Sequence, residues 1–148
     1  LVNNWLKLKV VLGHNKRLFV NFRLQFTRMN KSHFSKIIAG TMSWGVWGKN
    51  FNPNEMQRII ETTVDLGISS FDHADIYGGY TTESAFGVAF SKTGISRSSV
   101  QFITKCGIQL VTPNRSNEIK HYDCSKAYIM SSAEASLKYL QTDYIDVF

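Results

Sequence analysis

The sequence predicts an α/β fold with parallel strands, in the form of a (β/α)8 barrel truncated to about its first four βα units. From about residue 29 onward, short apolar runs alternate with segments of helical periodicity. The apolar runs recur roughly every 30 to 45 residues, which is the length of one βα unit. A Rossmann-like open sheet would also fit this alternation, but residues 40–45 lack the Gly-x-Gly-x-x-Gly pattern of a dinucleotide-binding turn. The barrel is therefore favoured.

Helix signals delimit the first two units. A strand is predicted over residues 37–42, and the segment Asn52–Glu55 has the pattern of a capping box with a proline at the first helical position. The helix that follows is expected to end near Gly67. The second strand is predicted over residues 68–72 and the second helix over about 82–91. The residues expected to be buried on this helix are Ala85, Phe86, Ala89 and Phe90.

The third and fourth units follow in the same order. A strand is predicted over residues 100–105, and a polar loop over 106–122 has a length that is typical of functional loops. Asp123 is expected to cap the next helix, and the last strand is predicted over residues 144–148. The apolar residues that predict this helix are Ala127, Met130, Ala133, Leu137 and Leu140.

Composition restricts the class of protein. With 148 residues, 43% of them apolar and 13% aromatic, the chain is typical of one globular domain. The net charge of +6 resides in residues 1–28, so the remainder gives no reason to expect nucleic acid as a partner. No apolar run approaches the about 20 residues of a membrane span, and no membrane partner is expected. Cys106 and Cys124 do not have the pattern of a disulfide framework or a zinc site, which favours a cytoplasmic location.

Residues 1–28 are interpreted as an N-terminal extension outside the functional domain, which would span residues 29–148. Met29 is a more natural start than Leu1. Upstream sequence is the favoured explanation of this basic, acid-free segment. A hairpin-like extension turning at residues 13–16 and a targeting segment are the alternatives.

Three polar side chains follow the ends of predicted strands, namely Asp72, Tyr77 and Lys105. In parallel barrels the working residues come from this edge of the sheet, so these three are candidate catalytic residues. A free phenol, with a pKa of about 10, is a weak acid at neutral pH. An ammonium beside it would stabilise the phenolate and make Tyr77 a general acid, while Asp72 would keep Lys105 in place and charged. This division of roles is suited to carbonyl reduction.

The same segments resemble the aldo-keto reductases. Residues 71–78 read Phe-Asp-His-Ala-Asp-Ile-Tyr-Gly and are similar to the family's Asp-Thr-Ala-x-x-Tyr-Gly motif. Residues 103–107 read Ile-Thr-Lys-Cys-Gly and are similar to the segment of its strand-three lysine. The Asp-His-Ala-Asp-Ile-Tyr-Gly-Gly-Tyr run, together with Lys-Cys-Gly-Ile, His-Tyr-Asp and the terminal Thr-Asp-Tyr-Ile-Asp-Val-Phe, is most similar to a bacterial oxidoreductase branch. The resemblance covers residues 33–148.

The resemblance implies an enzyme that reduces a small aldehyde or ketone to an alcohol with NADPH. Tyr77 would be the general acid/base, Lys105 the modulator of its acidity and Asp72 the partner of the lysine. The family's fourth catalytic residue is a histidine after strand four, which would lie beyond Phe148 together with most of the cofactor site. The chain is therefore expected to be an inactive fragment of an enzyme of about 300 residues. The full-length enzyme is expected to be a monomer or weak oligomer. The residues expected to contact NADP(H) are Gly40, Thr41, Met42 and Asp72, with Trp44 and Trp47 lining the substrate cavity.

Two other functions remain open at this stage. His73 and Asp75 at a strand end resemble, weakly, the ligands of metal-dependent barrel hydrolases, but no His-x-His pair is present and no metal ligand is assigned. His73 is instead expected to form a hydrogen bond within its loop, and Cys106 to be a small buried residue. The second alternative is a non-catalytic half barrel that acts as an interaction module, with the tryptophan-containing loop as a contact surface.

Overall fold

The structure is a computed structural model and describes residues 8–9 and 34–148. Within these residues no helix is both long enough and apolar enough to cross a membrane. The expected turn at residues 13–16 and the start at Met29 lie outside the described residues. The strands are β1 (Leu8–Lys9), β2 (Ile38–Gly40), β3 (Ser70–Asp72), β4 (Gln101–Ile103), β5 (Ile108–Gln109), β6 (His121–Tyr122) and β7 (Tyr144–Ile145), and the helices are α1 (Pro53–Asp65), α2 (Tyr77–Tyr80), α3 (Thr82–Phe90) and α4 (Lys126–Tyr139), with a 3₁₀ turn at Arg97–Ser99.

The predicted strands are parallel neighbours in chain order. In the sheet β2-β3-β4, Gly40 is paired with Asp72 and Asp72 with Ile103. β7 continues this order, because a parallel bridge joins Ile103 to Val147 and the Thr104 amide donates to the Val147 carbonyl at 2.9 Å. β1 pairs antiparallel with β7. Regular pairing covers fewer residues than predicted, but the order is that of a βα barrel, and the carboxyl ends of β2, β3 and β4 form a common rim.

The helices cover one face of this sheet and bury an aromatic core against it. Phe71 on β3 and Phe102 on β4 face each other in register and are fully buried. Burial along α3 is not entirely as predicted, because Ala85 is exposed and Glu83 is buried instead. The core cluster consists of Met56, Ile60, Phe71, Phe86, Ala89, Phe90, Val100, Phe102 and Leu140.

The N-terminus of α1 forms as predicted, and that of α4 does not. The Asn52 side chain accepts hydrogen bonds from the amides of Asn54 and Glu55 at 3.0 and 3.1 Å, and the Glu55 carboxylate accepts from the Asn52 amide at 2.9 Å. This is the predicted capping box. The prediction that Asp123 caps α4 is wrong, because the cap is Ser125, whose hydroxyl accepts from the Tyr128 amide at 3.2 Å. Asp123 instead accepts from the Ser125 amide, one turn before the helix.

The predicted loop over residues 106–122 contains an antiparallel hairpin. Ile108 of β5 lies opposite Tyr122 of β6, and Gln109 lies opposite His121. The hairpin extends from the carboxyl end of β4 toward the turn that follows β3, because the Tyr80 hydroxyl donates to the Ile108 carbonyl at 3.2 Å. It therefore forms one side of the rim.

Candidate active site

Asp72 and Lys105 form an ion pair at the rim of the sheet. The Lys105 ammonium lies 2.8 and 2.9 Å from the two carboxylate oxygens and also donates to the His73 carbonyl at 2.6 Å. Asp72 ends β3 and is paired in register with Ile103 of β4, and Lys105 lies two residues beyond Ile103. Since side chains alternate along a strand, this register brings both side chains to the same side. The lysine side chain is half exposed, so the pair contributes little to stability and acts chiefly by fixing geometry.

Tyr77 completes the group. Its hydroxyl lies 3.4 Å from Asp72 Oδ2, at the long end of the hydrogen-bond range, and the Lys105 nitrogen lies 5.0 Å from the centre of its ring. The structure thus brings all three predicted catalytic side chains together. Asp72 is the member that contacts both of the others.

The Lys105 ammonium is held in its charged form. Partial burial, the largest single influence, lowers its pKa, but the hydrogen bonds and negative charge of Asp72, with a contribution from the nearby Tyr77 oxygen, together outweigh burial and raise the pKa above the ordinary value. A permanent positive charge therefore lies beside the phenol. Such a charge favours any negative charge that develops on the Tyr77 oxygen when a proton leaves it.

The turn after Tyr77 has an unusual backbone. Gly78, Gly79 and Tyr80 all have positive φ, at 61°, 64° and 72°. Gly78 is required here for space as well, because a Cβ would lie 2.5 Å from the Thr82 hydroxyl. Tyr80 adopts the left-handed region without being a glycine, which is rare for a bulky side chain and costs free energy.

The residues expected beside the nicotinamide lie next to this group, at the end of β2. A Cβ built on Gly40 meets no atom within 4 Å, and the Met42 side chain is 53% exposed. An open, partly apolar surface of this kind fits a flat ring stacked against the rim. Thr41 differs, because its side chain is fully buried and its hydroxyl contacts the Asp72 carbonyl and His73 Nδ1, both at 3.0 Å. The buried Thr41 side chain can therefore hold residues 40–42 in place from the interior of the protein.

The two tryptophans after β2 have different surroundings. The Trp47 ring is 46% exposed and makes an edge contact with Tyr77, with ring centres 6.3 Å apart. The Trp44 ring instead contacts the core rings of Phe71 and Phe86, at 6.3 and 6.2 Å. Of the two, Trp47 is the one that extends the surface around the phenol.

His73 lies inside the protein rather than on the rim. The prediction of a hydrogen bond within its own loop is wrong, since its Nδ1 shares one with Thr41 of the β2 end. Its ring packs edge-on against Phe86 at 4.4 Å. Burial, followed by the charges of Lys105 and Arg97, lowers the pKa of His73 to about 3, so the ring is neutral. Within residues 34–148 no three acidic, histidine or cysteine side chains form a group able to hold a metal ion.

Cys106 is half-buried rather than buried, so this part of the prediction is wrong. The cause is its position, one residue after Lys105 and outside the regular strand. Burial raises the pKa of its thiol, which disfavours the thiolate that a nucleophilic cysteine requires.

Two buried carboxylates lie behind the rim, of which Glu83 was missed at the sequence level and Asp75 was considered only as a metal ligand. Asp75 accepts from the Tyr128 and Ser132 hydroxyls at 2.8 and 3.0 Å, and Glu83 accepts from Thr104 and Ser136 at 2.6 and 3.0 Å. Burial raises the pKa of both groups, that of Glu83 to about 7. The available signal was the hydroxyl series at positions 128, 132 and 136, which recurs every four residues and so lies along one face of α4.

A parallel βα sheet whose carboxyl rim holds an acid, a phenol and an ammonium in contact has the architecture of a (β/α)8-barrel enzyme. Residues 36–148 match the aldo/keto reductase family, and the chain belongs to that family. The barrel predicted from the sequence is confirmed by solved structures of family members. One is the aldo-keto reductase AKR11C1 from Bacillus halodurans, which is 32% identical with a TM-score of 0.61 and matches 76% of this chain and 34% of its own. Another is the glycerol dehydrogenase AKR11B4 from Gluconobacter oxydans, which is 27% identical with a TM-score of 0.63 over the same shares.

Three curated relatives are bacterial oxidoreductases, which agrees with the bacterial branch that the motif indicates. The uncharacterized oxidoreductase YcsN of Bacillus subtilis is 44% identical over 115 residues, which are 77% of this chain and 38% of YcsN. The oxidoreductase YdhF of Escherichia coli is 39% identical over 114 residues, 77% of this chain and 37% of YdhF. The 6-dehydroglucose reductase of Agrobacterium fabrum is 35% identical over 119 residues, 80% of this chain and 40% of that enzyme. The chain thus spans well under half the length of these relatives.

Proposed function

We propose that the chain carries the proton-transfer part of an NADPH-dependent carbonyl reductase, in which an aldehyde or ketone becomes an alcohol. The observation that supports this most directly is the shared contact of Asp72 with the Lys105 ammonium and the Tyr77 hydroxyl at the barrel rim. A phenol beside a charged lysine can act as a proton donor, because the lysine stabilises the phenolate that remains. Such a donor suits a carbonyl oxygen that gains negative charge.

In the proposed reaction, the carbonyl carbon gains a hydride and the carbonyl oxygen gains a proton. Bound NADPH would supply the hydride, and this chain's own residues supply the rest. Tyr77 donates its hydroxyl proton to the oxygen as the C=O π bond breaks, and the resulting phenolate lies beside the Lys105 ammonium. Asp72 holds that ammonium in position and charged. Solvent returns the proton to Tyr77 before the next turnover.

The nicotinamide would be held by the open end of β2. Gly40 and Met42 provide exposed surface beside Asp72, and Thr41 fixes this segment through its buried hydroxyl. Trp47 would cover the substrate next to Tyr77, as its edge contact with the phenol ring favours. Trp44, which is half-buried and packs against the core, would support the same loop from behind rather than contact the substrate.

The wider assignment follows the family. We propose a small-molecule carbonyl substrate, NADP(H) rather than NAD(H), a cytoplasmic location, and a monomer or weak oligomer, with residues 29–148 as the functional domain. Neither nucleic acid nor a membrane is a proposed partner. Two relatives are named for polyhydroxylated compounds, the 6-dehydroglucose reductase and the glycerol dehydrogenase. A polar carbonyl compound of the sugar or polyol type is therefore the first substrate class to assay.

The test places residues 34–148 in a full-length barrel. These residues would replace the matching part of the Agrobacterium 6-dehydroglucose reductase, and NADPH oxidation would be followed with 6-dehydroglucose. We expect turnover, a loss of about 100-fold or more in kcat for Tyr77→Phe, and a severe loss for Lys105→Met. Tyr144→Phe is the matched control, because its hydroxyl contacts the Arg97 carbonyl, outside the site. Near-normal turnover of the Tyr77→Phe chimera would refute the proposal, and a metal-dependent hydrolase would instead lose activity to a chelator and oxidise no NADPH.

A further inference from the structure

The left-handed turn after Tyr77 is held by contacts from the β5–β6 hairpin. The Tyr80 hydroxyl donates to the Ile108 carbonyl at 3.2 Å and accepts from the Leu110 amide at 2.9 Å. The Asn114 side-chain amide donates to the Gly79 carbonyl at 2.7 Å. The turn and the hairpin are therefore joined at two successive residues.

A fourth contact closes the arrangement from outside. The Arg115 guanidinium lies over the face of the Tyr80 ring, 4.2 Å from its centre. The ring thus has its hydroxyl bound to the backbone of β5 and the following residues while one face is covered by a cation. A side chain fixed in this way can hold its own backbone in a conformation that the residue would otherwise avoid.

The strained residue lies three positions after Tyr77, in the same turn. The Thr81 amide donates to the Tyr77 carbonyl at 3.1 Å, so the two ends of the turn are tied to each other. If Tyr80 returned to an ordinary backbone conformation, the direction of the chain leaving Tyr77 would change. The phenol, whose hydroxyl is already 3.4 Å from Asp72, would then lose its contact with the pair.

We propose that Tyr80 is a positioning residue for Tyr77, and that the hairpin residue Asn114 acts with it to lock the catalytic turn. This inference rests on the proposed role of Tyr77 as proton donor. It assigns the hairpin a function in catalysis as a brace, distinct from any contact with substrate. It also accounts for a non-glycine residue at a position where φ is 72°.

The experiment measures the coupling between Tyr77 and Lys105 by NMR in the chain labelled with ¹³C at the tyrosine phenolic carbon. The Tyr77 resonance is identified as the one that disappears in Tyr77→Phe. Its change in chemical shift on Lys105→Met is then recorded in four backgrounds, namely the natural sequence, Tyr80→Phe, Asn114→Ala and Tyr144→Phe. The last is the matched control, since it also removes one tyrosine hydroxyl that donates to a backbone carbonyl.

We expect the shift change to be retained in Tyr144→Phe and to fall by roughly half or more in Tyr80→Phe and Asn114→Ala, as coupled positions require. Circular dichroism shows whether each variant folds. If Tyr80→Phe does not fold, the test rests on Asn114→Ala, which removes only a side-chain amide at the hairpin surface. An undiminished shift change in a folded Tyr80→Phe or Asn114→Ala protein would overturn the proposal, because a purely stabilising residue lowers the melting temperature without altering this coupling. In the chimera the same variants should lower kcat and leave KM largely unchanged. If Tyr80→Phe and Asn114→Ala lose the coupling but the Tyr77→Phe chimera has normal turnover, the proposed function is refuted. The positioning of Tyr77 by Tyr80 and Asn114 would still stand.

Discussion

The buried carboxylate of Glu83 should make the stability of the protein fall as the pH rises from 5 to 8.5. Glu83 is 4% exposed and, within residues 34–148, accepts hydrogen bonds from the hydroxyls of Thr104 and Ser136 and has no ion-pair partner. Burial raises its pKa from 4.5 to about 7. The folded state therefore binds the proton more tightly than the unfolded state does. Stability from this group is complete below pH 4.5 and is lost as the pH rises through about 7.

The size of the effect follows from the two pKa values. With one pKa unit equal to about 1.4 kcal/mol, the shift of Glu83 lowers the free energy of unfolding, relative to low pH, by about 1 kcal/mol at pH 5 and about 3 kcal/mol at pH 8.5. The difference between the two conditions is therefore about 2 to 3 kcal/mol. Glu83→Gln removes the ionisation and keeps a side chain of the same shape, whose oxygen can accept from one hydroxyl and whose amide can donate to the other.

The assay is urea unfolding of the natural sequence and of Glu83→Gln at both pH values. His73, whose pKa is lowered to about 3, has the opposite pH dependence and gains stability as the pH rises, but its contribution is the same in both proteins and cancels in the comparison. We expect Glu83→Gln to gain about 2 to 3 kcal/mol in free energy of unfolding relative to the natural sequence between pH 5 and pH 8.5. Glu134→Gln, at an exposed position of α4, is the control and should show no such gain. An equal pH dependence in the natural sequence and in Glu83→Gln would show that Glu83 is not desolvated as the structure indicates.

Two further substitutions test the packing around the sheet. Gly87→Ala should lower the free energy of unfolding by about 1 to 2 kcal/mol, because a Cβ there would overlap the Tyr139 carbonyl of α4. Gly94→Ala is the control and should be neutral, because a Cβ at Gly94 meets no atom within 4 Å. Chemical unfolding measures both variants, and equal stabilities would contradict the close contact between the helices. Arg97→Lys should cost about 2 to 4 kcal/mol, since the guanidinium pairs with Asp146 at 2.7 Å and lies between two aromatic rings. Thermal unfolding compares this variant with the exposed Arg58→Lys, and a loss no larger than that of the control would show that the planar group is not needed.

The sequence predicted the ion pair of the site but not the way in which its phenol is held. Asp72 and Lys105 follow two predicted parallel strands, and parallel strands end at one edge, so their proximity could be inferred without knowledge of the loops. Tyr77 was identified by its motif, but its position depends on three successive positive φ values. One of these belongs to Tyr80, and no propensity predicts a tyrosine in that conformation.

Periodicity also fails where a polar side chain is buried. The apolar pattern of the second helix led to the prediction that Ala85 faces the core, yet Ala85 is exposed and Glu83 lies inside. The carboxylate is tolerated because Thr104, which follows β4 and is 21 residues away in sequence, donates to it. A periodicity argument considers one helix at a time, so it cannot include a partner that another element supplies.

The buried carboxylates explain why substitutions in α4 should affect a site that this helix does not touch. Asp75 binds hydroxyls of α4 through its side chain, and its amide donates to the Lys105 carbonyl at 3.0 Å. Glu83 joins Ser136 of α4 to Thr104, the residue before Lys105. The backbone that carries the lysine is thus tied to α4 at two successive residues. Since Lys105 pairs with Asp72, these ties from α4 help to position the ammonium at the site. The hairpin acts on the other side, where it holds the turn that follows the phenol.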